Sequence, residues 1–397
     1  MTGFALQASR LIHRANIGRI LLPCNGKAAL RPQEVCIPRH FQLLFDAVKL
    51  TFKRVELKMA HTWTIARGSG SNSATTVVVE LTGADGTVGL GEAAPISRYK
   101  ESVDTVEAFL KKVDPRGLSF KDVEGSMTYL DTVSKHDMAA KCALNIALLD
   151  GAGKREKKAI YDMLGLGFRE NHHGSSFTIG IDKPDVFKQK VIEAERFSVL
   201  KVKVGVAGDK DNLKALREVA PTKTIRADAN EGWKTKEQAL EMLEWLAQDG
   251  NVQYVEQPMP SATSVKDWVW LKSRSPLPIF ADESYHLAKD VSQAAECFHG
   301  VNVKLVKTGG ITGGFDALQA ARKAGLKTMI GCMIETSILI NAAAHLSELC
   351  DYMDVDGNIL CTNDPYLGVS NNKGVLSFAS APEKFGLRVT PRNAAPV

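Results

Sequence analysis

Cysteine is scarce and badly placed for cross-linking: seven residues in 397, an odd number, none spaced as C-x-x-C or C-x-x-x-C. A disulfide framework and a cysteine-built zinc site are therefore excluded, and the expected compartment is a reducing one, the cytoplasm. No uncharged apolar run reaches eighteen residues, so no membrane-spanning helix is expected. Charge of one sign is missing from most of the chain. The net +5 resides in residues 1–52, where seven Lys or Arg meet only Glu34 and Asp46; from residue 53 onward 43 basic and 43 acidic side chains cancel. A balanced body excludes the electrostatic footprint of nucleic-acid or membrane binding. Nucleotide-loop signatures are absent too, since no G-x-G-x-x-G follows the first strand of the later repeat, and Thr308–Gly314 lacks a GK[ST] ending.

What is present begins with that basic, acid-poor leader. Transit peptides and translated segments that never fold share its composition, and residues 1–52 are expected to be a poorly ordered or non-functional extension. From residue 53 to 165 the texture is α+β. A β-branched run, Thr75–Leu81, and a second, Val88–Glu92, flank the turn cluster Thr82-Gly83-Ala84-Asp85-Gly86, and helical spacing follows over Val103–Val113 and Met138–Lys154. From 166 to 390 short apolar strands alternate with helical stretches: Ser176–Ile181, Val199–Val204, Thr224–Asp228, Val252–Glu256, Ile279–Asp282, Val301–Lys304, Thr328–Gly331 and Tyr352–Val355. Eight such strands with crossover helices predict a closed parallel barrel of the TIM type, with an open doubly wound sheet as the competitor.

Ionisable residues fall at the C-terminal ends of those strands, where barrel loops converge on one mouth. Asp228, Glu256 and Asp282 end the third, fourth and fifth strands. Three carboxylates without histidine or cysteine make a hard oxygen site suited to magnesium, with manganese as a substitute. Each acid taken alone also fits a helix cap or a surface ion pair. Lys201 and Lys203 are two apart on one strand and share a face; Val202 and Val204 take the other, which turns both lysines inward. Lys304 ends the sixth strand, across the barrel from the second. Lysines on opposite sides of a metal pocket predict proton traffic at one carbon, one lysine removing a proton and the other delivering one to the opposite face, with Lys201, beside the base, donating a further hydrogen bond. Burial and cation crowding are expected to lower a lysine's pKa into the working range of a base. A divalent metal would stabilise the enolate of a carbon acid next to a carboxylate.

Lys201-Val202-Lys203, Asp228-Ala229-Asn230, Glu256-Gln257-Pro258, Asp282-Glu283-Ser284 and Asn302-Val303-Lys304 together resemble the enolase superfamily, muconate-lactonising subgroup. Gly89–Pro95 and Tyr161–Gly165 are similar to motifs of its capping domain. The resemblance spans about residues 53–390. It implies an α+β cap, completed by C-terminal residues, over a (β/α)7β barrel. Lys203 and Lys304 would be the acid/base pair, and Asp228, Glu256 and Asp282 the ligands of one magnesium ion. The seventh strand ends Gly331-Cys332-Met333 without the histidine of the mandelate-racemase branch, so the two-lysine branch fits better. Asp354-Val355-Asp356 on the eighth strand resembles the pair with which dipeptide epimerases grip a free amino terminus; taken alone, Asp356-Gly357 also reads as a turn. Arg67 lies on a cap loop like those that bind an acidic side chain in L-Ala-D/L-Glu epimerases, and Thr178 matches a substrate-touching position. The reaction the resemblance implies is magnesium-dependent inversion of the α-carbon of a dipeptide's C-terminal residue, with an L-Ala-D/L-Glu-like substrate. An o-succinylbenzoate synthase or a muconate cycloisomerase on the same scaffold is the alternative. The expected partners are a small dipeptide and a second copy of the chain.

Overall fold

Alternation along one central strand organises the first half of the molecule. The computed structural model describes residues 48–68 and 70–392. Strand β1 (Val48–Trp63) pairs antiparallel with β2 (Ser71–Gly83), and β2 with β3 (Val88–Ala93). On β2, Val77, Val79 and Leu81 enter one core with Phe109 and Leu148, whereas Val78 points the other way into the barrel-side core with Leu90 and Ile146. The sheet is thus hydrophobic on both faces, which explains the unbroken run Val77-Val78-Val79. β1 starts at Val48, ahead of the boundary expected at 53, because Val48 is buried and pairs with Gly83. The rest of the expected extension lies outside the described residues.

Three helices complete this unit: α1 (Val103–Leu110), α2 (Val123–Val133) and α3 (Met138–Glu156). A reciprocal Ser102–Thr105 capping box starts α1, and the Asp122 side chain caps α2 by accepting from Gly125 N. α3 lies directly on β3, and the approach requires glycine. A Cβ at Gly91 would sit 1.9 Å from the Ala143 carbonyl oxygen, and one at Gly89 2.0 Å from that of Ala147. The obstacle is backbone, so Gly91→Ala must push helix from sheet. We expect a loss of about 3 kcal/mol, read as a melting temperature several degrees lower; an unchanged melting temperature would overturn this packing account.

The second half is a ring of eight parallel strands in sequence order: β4 (Phe177–Ile179), β5 (Val199–Lys203), β6 (Thr224–Asp228), β7 (Val252–Glu256), β8 (Ile279–Ala281), β9 (Gly300–Lys304), β10 (Lys327–Gly331) and β11 (Tyr352–Asp354). Closure comes just before β4, where Ser175 forms a parallel bridge with Met353 and Ser176 N donates to Met353 O at 3.1 Å. Helices α4 (Pro184–Glu193), α5 (Asp209–Val219), α6 (Lys236–Ala247), α7 (Val265–Lys272), α8 (Val291–Cys297), α9 (Ile311–Lys323) and α10 (Ser337–Ala344) fill the seven intervals. The architecture is the expected (β/α)7β barrel with an α+β cap.

The chain then returns to the first unit. Asn363 accepts from Lys58 N and donates to Glu56 O on β1. Buried Asp150 of α3 accepts from Leu387 N and Leu90 N, both at 2.8 Å, and from Lys154 Nζ. Glu92, fully buried at the end of β3, accepts from Thr336 N, Thr336 Oγ1 and Leu339 N at the start of α10. These bonds fix the cap on the C-terminal rim of the barrel. No helix among the described residues is long and apolar enough to cross a membrane.

Candidate active site

The period of two on β5 decides where its lysines go. Leu200 and Val202 join the core outside the barrel, which leaves Lys201 and Lys203 facing inward at 1% and 7% exposure. β9 repeats the device: Val301 and Val303 face outward, Asn302 and Lys304 inward, with Lys304 at 7%. β5 and β9 are four strands apart in an eight-stranded ring, so the two sides face each other across the mouth.

Lysines in such burial need anions. Lys201 Nζ lies 3.0 Å from Asp228 Oδ2, 2.8 Å from Glu256 Oε2 and 2.8 Å from Asp354 Oδ2. Lys203 Nζ lies 2.6 Å from Asp228 Oδ2 and faces the Trp63 ring at 5.7 Å. Lys304 Nζ meets Asp282 Oδ2 at 2.7 Å. A further lysine escaped sequence reasoning. Lys307, one turn beyond Lys304, donates to Asp282 Oδ1 at 2.7 Å and to three backbone carbonyls, including those of Tyr285 and Asn302.

These pairings reverse one expectation. Burial opposes charge on Lys304, but Asp282 together with Glu256 and Tyr99 outweighs it, so the pKa of Lys304 rises rather than falls. Lys201 rises likewise, its burial outweighed by Asp228, Asp354 and Glu256. Asp228 is held below the usual carboxylate range by Lys201 and Lys203 in spite of burial, and Asp282 by Lys304 and Lys307. Glu256 departs from both. Burial, reinforced by the Asp228 charge, pushes it up to about 7.

Asp228, Glu256 and Asp282 follow one another on or just past three adjacent strands, each at most 1% exposed. Among the described residues, however, no three acidic, histidine or cysteine side chains are gathered closely enough to cage a metal ion; each acid faces a lysine instead. The donor chemistry nevertheless fits a hard divalent cation. All three donors are carboxylates, and Glu256 Oε2 is buried without an aligned hydrogen bond.

Above these acids lies a cavity of 340 Å³ lined by Lys201, Lys203, Lys304, Asp354, Asp356, Thr178 and Arg67. Asp228, Glu256 and Asp282 lie behind that lining and touch it through the lysines. The two β11-end aspartates differ. Asp354 is engaged by Lys201 Nζ and by Ser176 Oγ at 2.7 Å. Asp356 Oδ2 accepts from Thr178 N at 2.6 Å, and among the described residues the Cys332 thiol, at 3.7 Å, is the hydrogen-bond partner of its Oδ1. Burial and neighbouring Asp354 push Asp356 up to about 7. Thr178 thus orients the aspartate pair.

Arg67 reaches the cavity already occupied. Its Nη1 donates to Glu231 Oε2 at 2.6 Å and to Glu283 Oε1 at 2.5 Å. Sequence reasoning gives neither glutamate a role, although Glu283 lies within the quoted Asp282-Glu283-Ser284 and Glu231 directly follows Asn230. Apolar walls come from Met59, Ile65, Ile96, Met333 and Leu360.

Opposed lysines on facing strands, carboxylates beneath them and a cap above define a barrel enzyme of the enolase superfamily. Residues 48–165 match the mandelate racemase / muconate lactonizing enzyme N-terminal domain, and residues 187–391 the enolase C-terminal domain-like family. The L-Ala-D/L-amino acid epimerase of Pedosphaera parvula (strain Ellin514) is 64% identical over 344 residues, covering 86% of this chain and 99% of that protein. The substrate-liganded L-Ala-D/L-Glu epimerase from Bacillus subtilis has a TM-score of 0.80 at 26% identity, covering 87% of this chain and 99% of that one. The dipeptide epimerase from Enterococcus faecalis V583, complexed with Mg and L-Leu-L-Tyr, has a TM-score of 0.78 at 31% identity, with coverage of 87% and 99%. The chain belongs to the mandelate racemase / muconate lactonizing enzyme family and is an isomerase within it.

Proposed function

We propose that this isomerase is a dipeptide epimerase that inverts the α-carbon of the C-terminal residue of L-Ala-L-X substrates. The observation that carries the reading is the placement of Lys203 and Lys304 on facing strands, with the Asp354–Asp356 pair at a third side of the same cavity. One lysine breaks the Cα–H bond and takes the proton; the other delivers a proton to the opposite face, and the electron pair returns to carbon as the inverted C–H bond forms. Lys201, pinned between three carboxylates, keeps its positive charge beside the developing enolate. Asp228, Glu256 and Asp282 would hold one magnesium ion, which supplies Lewis-acid stabilisation of the charge that builds on the substrate carboxylate. Asp356, with an oxygen left to accept, meets the substrate ammonium, and Asp354 supports it. That ammonium partner favours the epimerase over an o-succinylbenzoate synthase or muconate cycloisomerase, whose substrates carry none.

Cys142, Cys297, Cys332, Cys350 and Cys361 are all unpaired, which supports a reducing compartment, the cytoplasm. A second copy of the chain as partner belongs to the same reading.

The test is incubation with magnesium and L-Ala-L-X dipeptides in deuterated water. A one-unit mass gain at the C-terminal residue, with appearance of the L,D epimer, is the expected result. No exchange in any dipeptide, with turnover of a cycloisomerase substrate instead, would overturn the reading. Stripping the metal with a chelator should abolish exchange, and magnesium should restore it.

A further inference from the structure

Four charged side chains from four separate segments meet at the rim of the cavity and cancel. Besides Arg67, the cap loop residue Arg98 reaches Glu231, its Nε donating to Oε2 at 2.9 Å and its Nη2 to Oε1 at 2.8 Å. Ser261 N also donates to Glu231 Oε1 at 2.7 Å, and Ser261 Oγ accepts from Arg98 at 2.8 Å. Glu231 therefore receives four hydrogen bonds and is held down to about 2, burial being outweighed by Arg98, Ser261 and Arg67 together. Its backbone is unusual: Asn230 and Glu231 both take positive φ, 43° and 66°, and Glu231 N donates to Gln257 O. A non-glycine pair in that region is costly and is kept where the surroundings demand it. Here it turns Glu231 up from the barrel towards both cap arginines.

The consequence concerns the side chain of the substrate's C-terminal residue. An arginine at a pocket wall selects an acidic side chain only if its charge is uncompensated there. Arg67 is compensated twice, by Glu231 behind the wall and by Glu283 in it. An incoming carboxylate would find Arg67 already paired, would face Glu283, and would have to displace a part-buried ion pair. A neutral side chain of equal size meets none of these penalties, and the apolar walls receive its methylene groups.

Resting on the epimerase reading above, we infer that Glu231 is a specificity-determining positioning residue: by holding Arg67 and Arg98 it sets the pocket for neutral rather than acidic C-terminal side chains. Removing its charge leaves two guanidiniums against Glu283, a surplus of one positive charge at the pocket rim.

L-Ala-L-Gln and L-Ala-L-Glu are nearly isosteric and separate charge from size. Initial rates of α-proton exchange with magnesium should give the wild-type protein a kcat/KM at least about tenfold higher for the glutamine dipeptide. In Glu231→Gln that ratio should fall about tenfold or more, through a lower KM for L-Ala-L-Glu. Arg67→Ala leaves Glu231 and Glu283 against Arg98 alone, a surplus of one negative charge, and should widen the preference for the glutamine dipeptide. A wild-type preference for L-Ala-L-Glu, an unchanged ratio in a Glu231→Gln protein that melts normally, or a ratio shifted towards L-Ala-L-Glu in Arg67→Ala would each overturn the inference while leaving the epimerase intact. If no dipeptide exchanges, the epimerase reading itself falls.

Discussion

Alanine at either Lys203 or Lys304 is expected to lower epimerisation of an L-Ala-L-X dipeptide by about 10³-fold or more, the largest effect of any single substitution in this chain. Neither lysine can stand in for the other, since β5 and β9 face each other and each ammonium is tied to a different carboxylate, Asp228 or Asp282. Inversion needs both faces of the α-carbon; isotope exchange needs only one. Each single variant should therefore still exchange the α-proton of one epimer in deuterated water, without inversion, and the two variants should retain opposite epimers. That asymmetry separates lost chemistry from lost folding, because an unfolded protein exchanges neither. Wild-type epimerisation in either variant, or parallel loss of exchange from both epimers in variants that melt normally, would overturn the two-lysine assignment.

Asp356→Asn should raise KM for the dipeptide by about 100-fold, the effect of removing the charged partner of a substrate ammonium in a dry pocket. Asp354→Asn should disturb more than binding, since Asp354 is also a partner of Lys201. An N-acetylated dipeptide provides the control. It should bind the wild-type protein as weakly as the free dipeptide binds Asp356→Asn, and the two changes together should cost little more than one. The acidic limb of binding follows from burial. Asp356 is pushed up to about 7, so it is protonated below that pH and ionised above it. KM for the free dipeptide should accordingly fall as pH rises through 7, and KM for the acetylated one should not. A common pH profile for both substrates would place the ammonium elsewhere.

Much of this site is written in local pattern. A strand side chain can only point to one of two faces, so Lys201 and Lys203 had to share a face once Val202 took the other. The same rule ordered Asn302 and Lys304. Parallel strands in a barrel present their C-terminal ends to one mouth, so Asp228, Glu256, Asp282 and the Asp354–Asp356 pair converge as soon as the eight strands are recognised. All eight strands begin within one residue of where apolar runs and turn signals put them; at the C-terminal end four coincide, three differ by one residue and one by two. The weaker patterns fared differently. Strand β1 is partly or wholly exposed along much of its length and lacks a continuous apolar run, and α2 buries only Ser126 and Leu130.

What local pattern determined, then, is the architecture, the inward lysines and the acids at the barrel mouth, because each depends on spacing within one strand or on the order of strands. The tertiary structure alone decided which charge meets which. Arg67 finds Glu231 and Glu283 across 164 and 216 residues, Lys201 finds Asp354 across 153, and no periodicity encodes such pairs. Those meetings change the chemistry: an arginine that reads as an acidic-substrate ligand arrives paired with two glutamates, and a lysine expected to have a lowered pKa has it raised, against burial, with Asp282 its nearest anion. Electrostatics acts through space and burial, and both exist only once the cap has closed on the barrel.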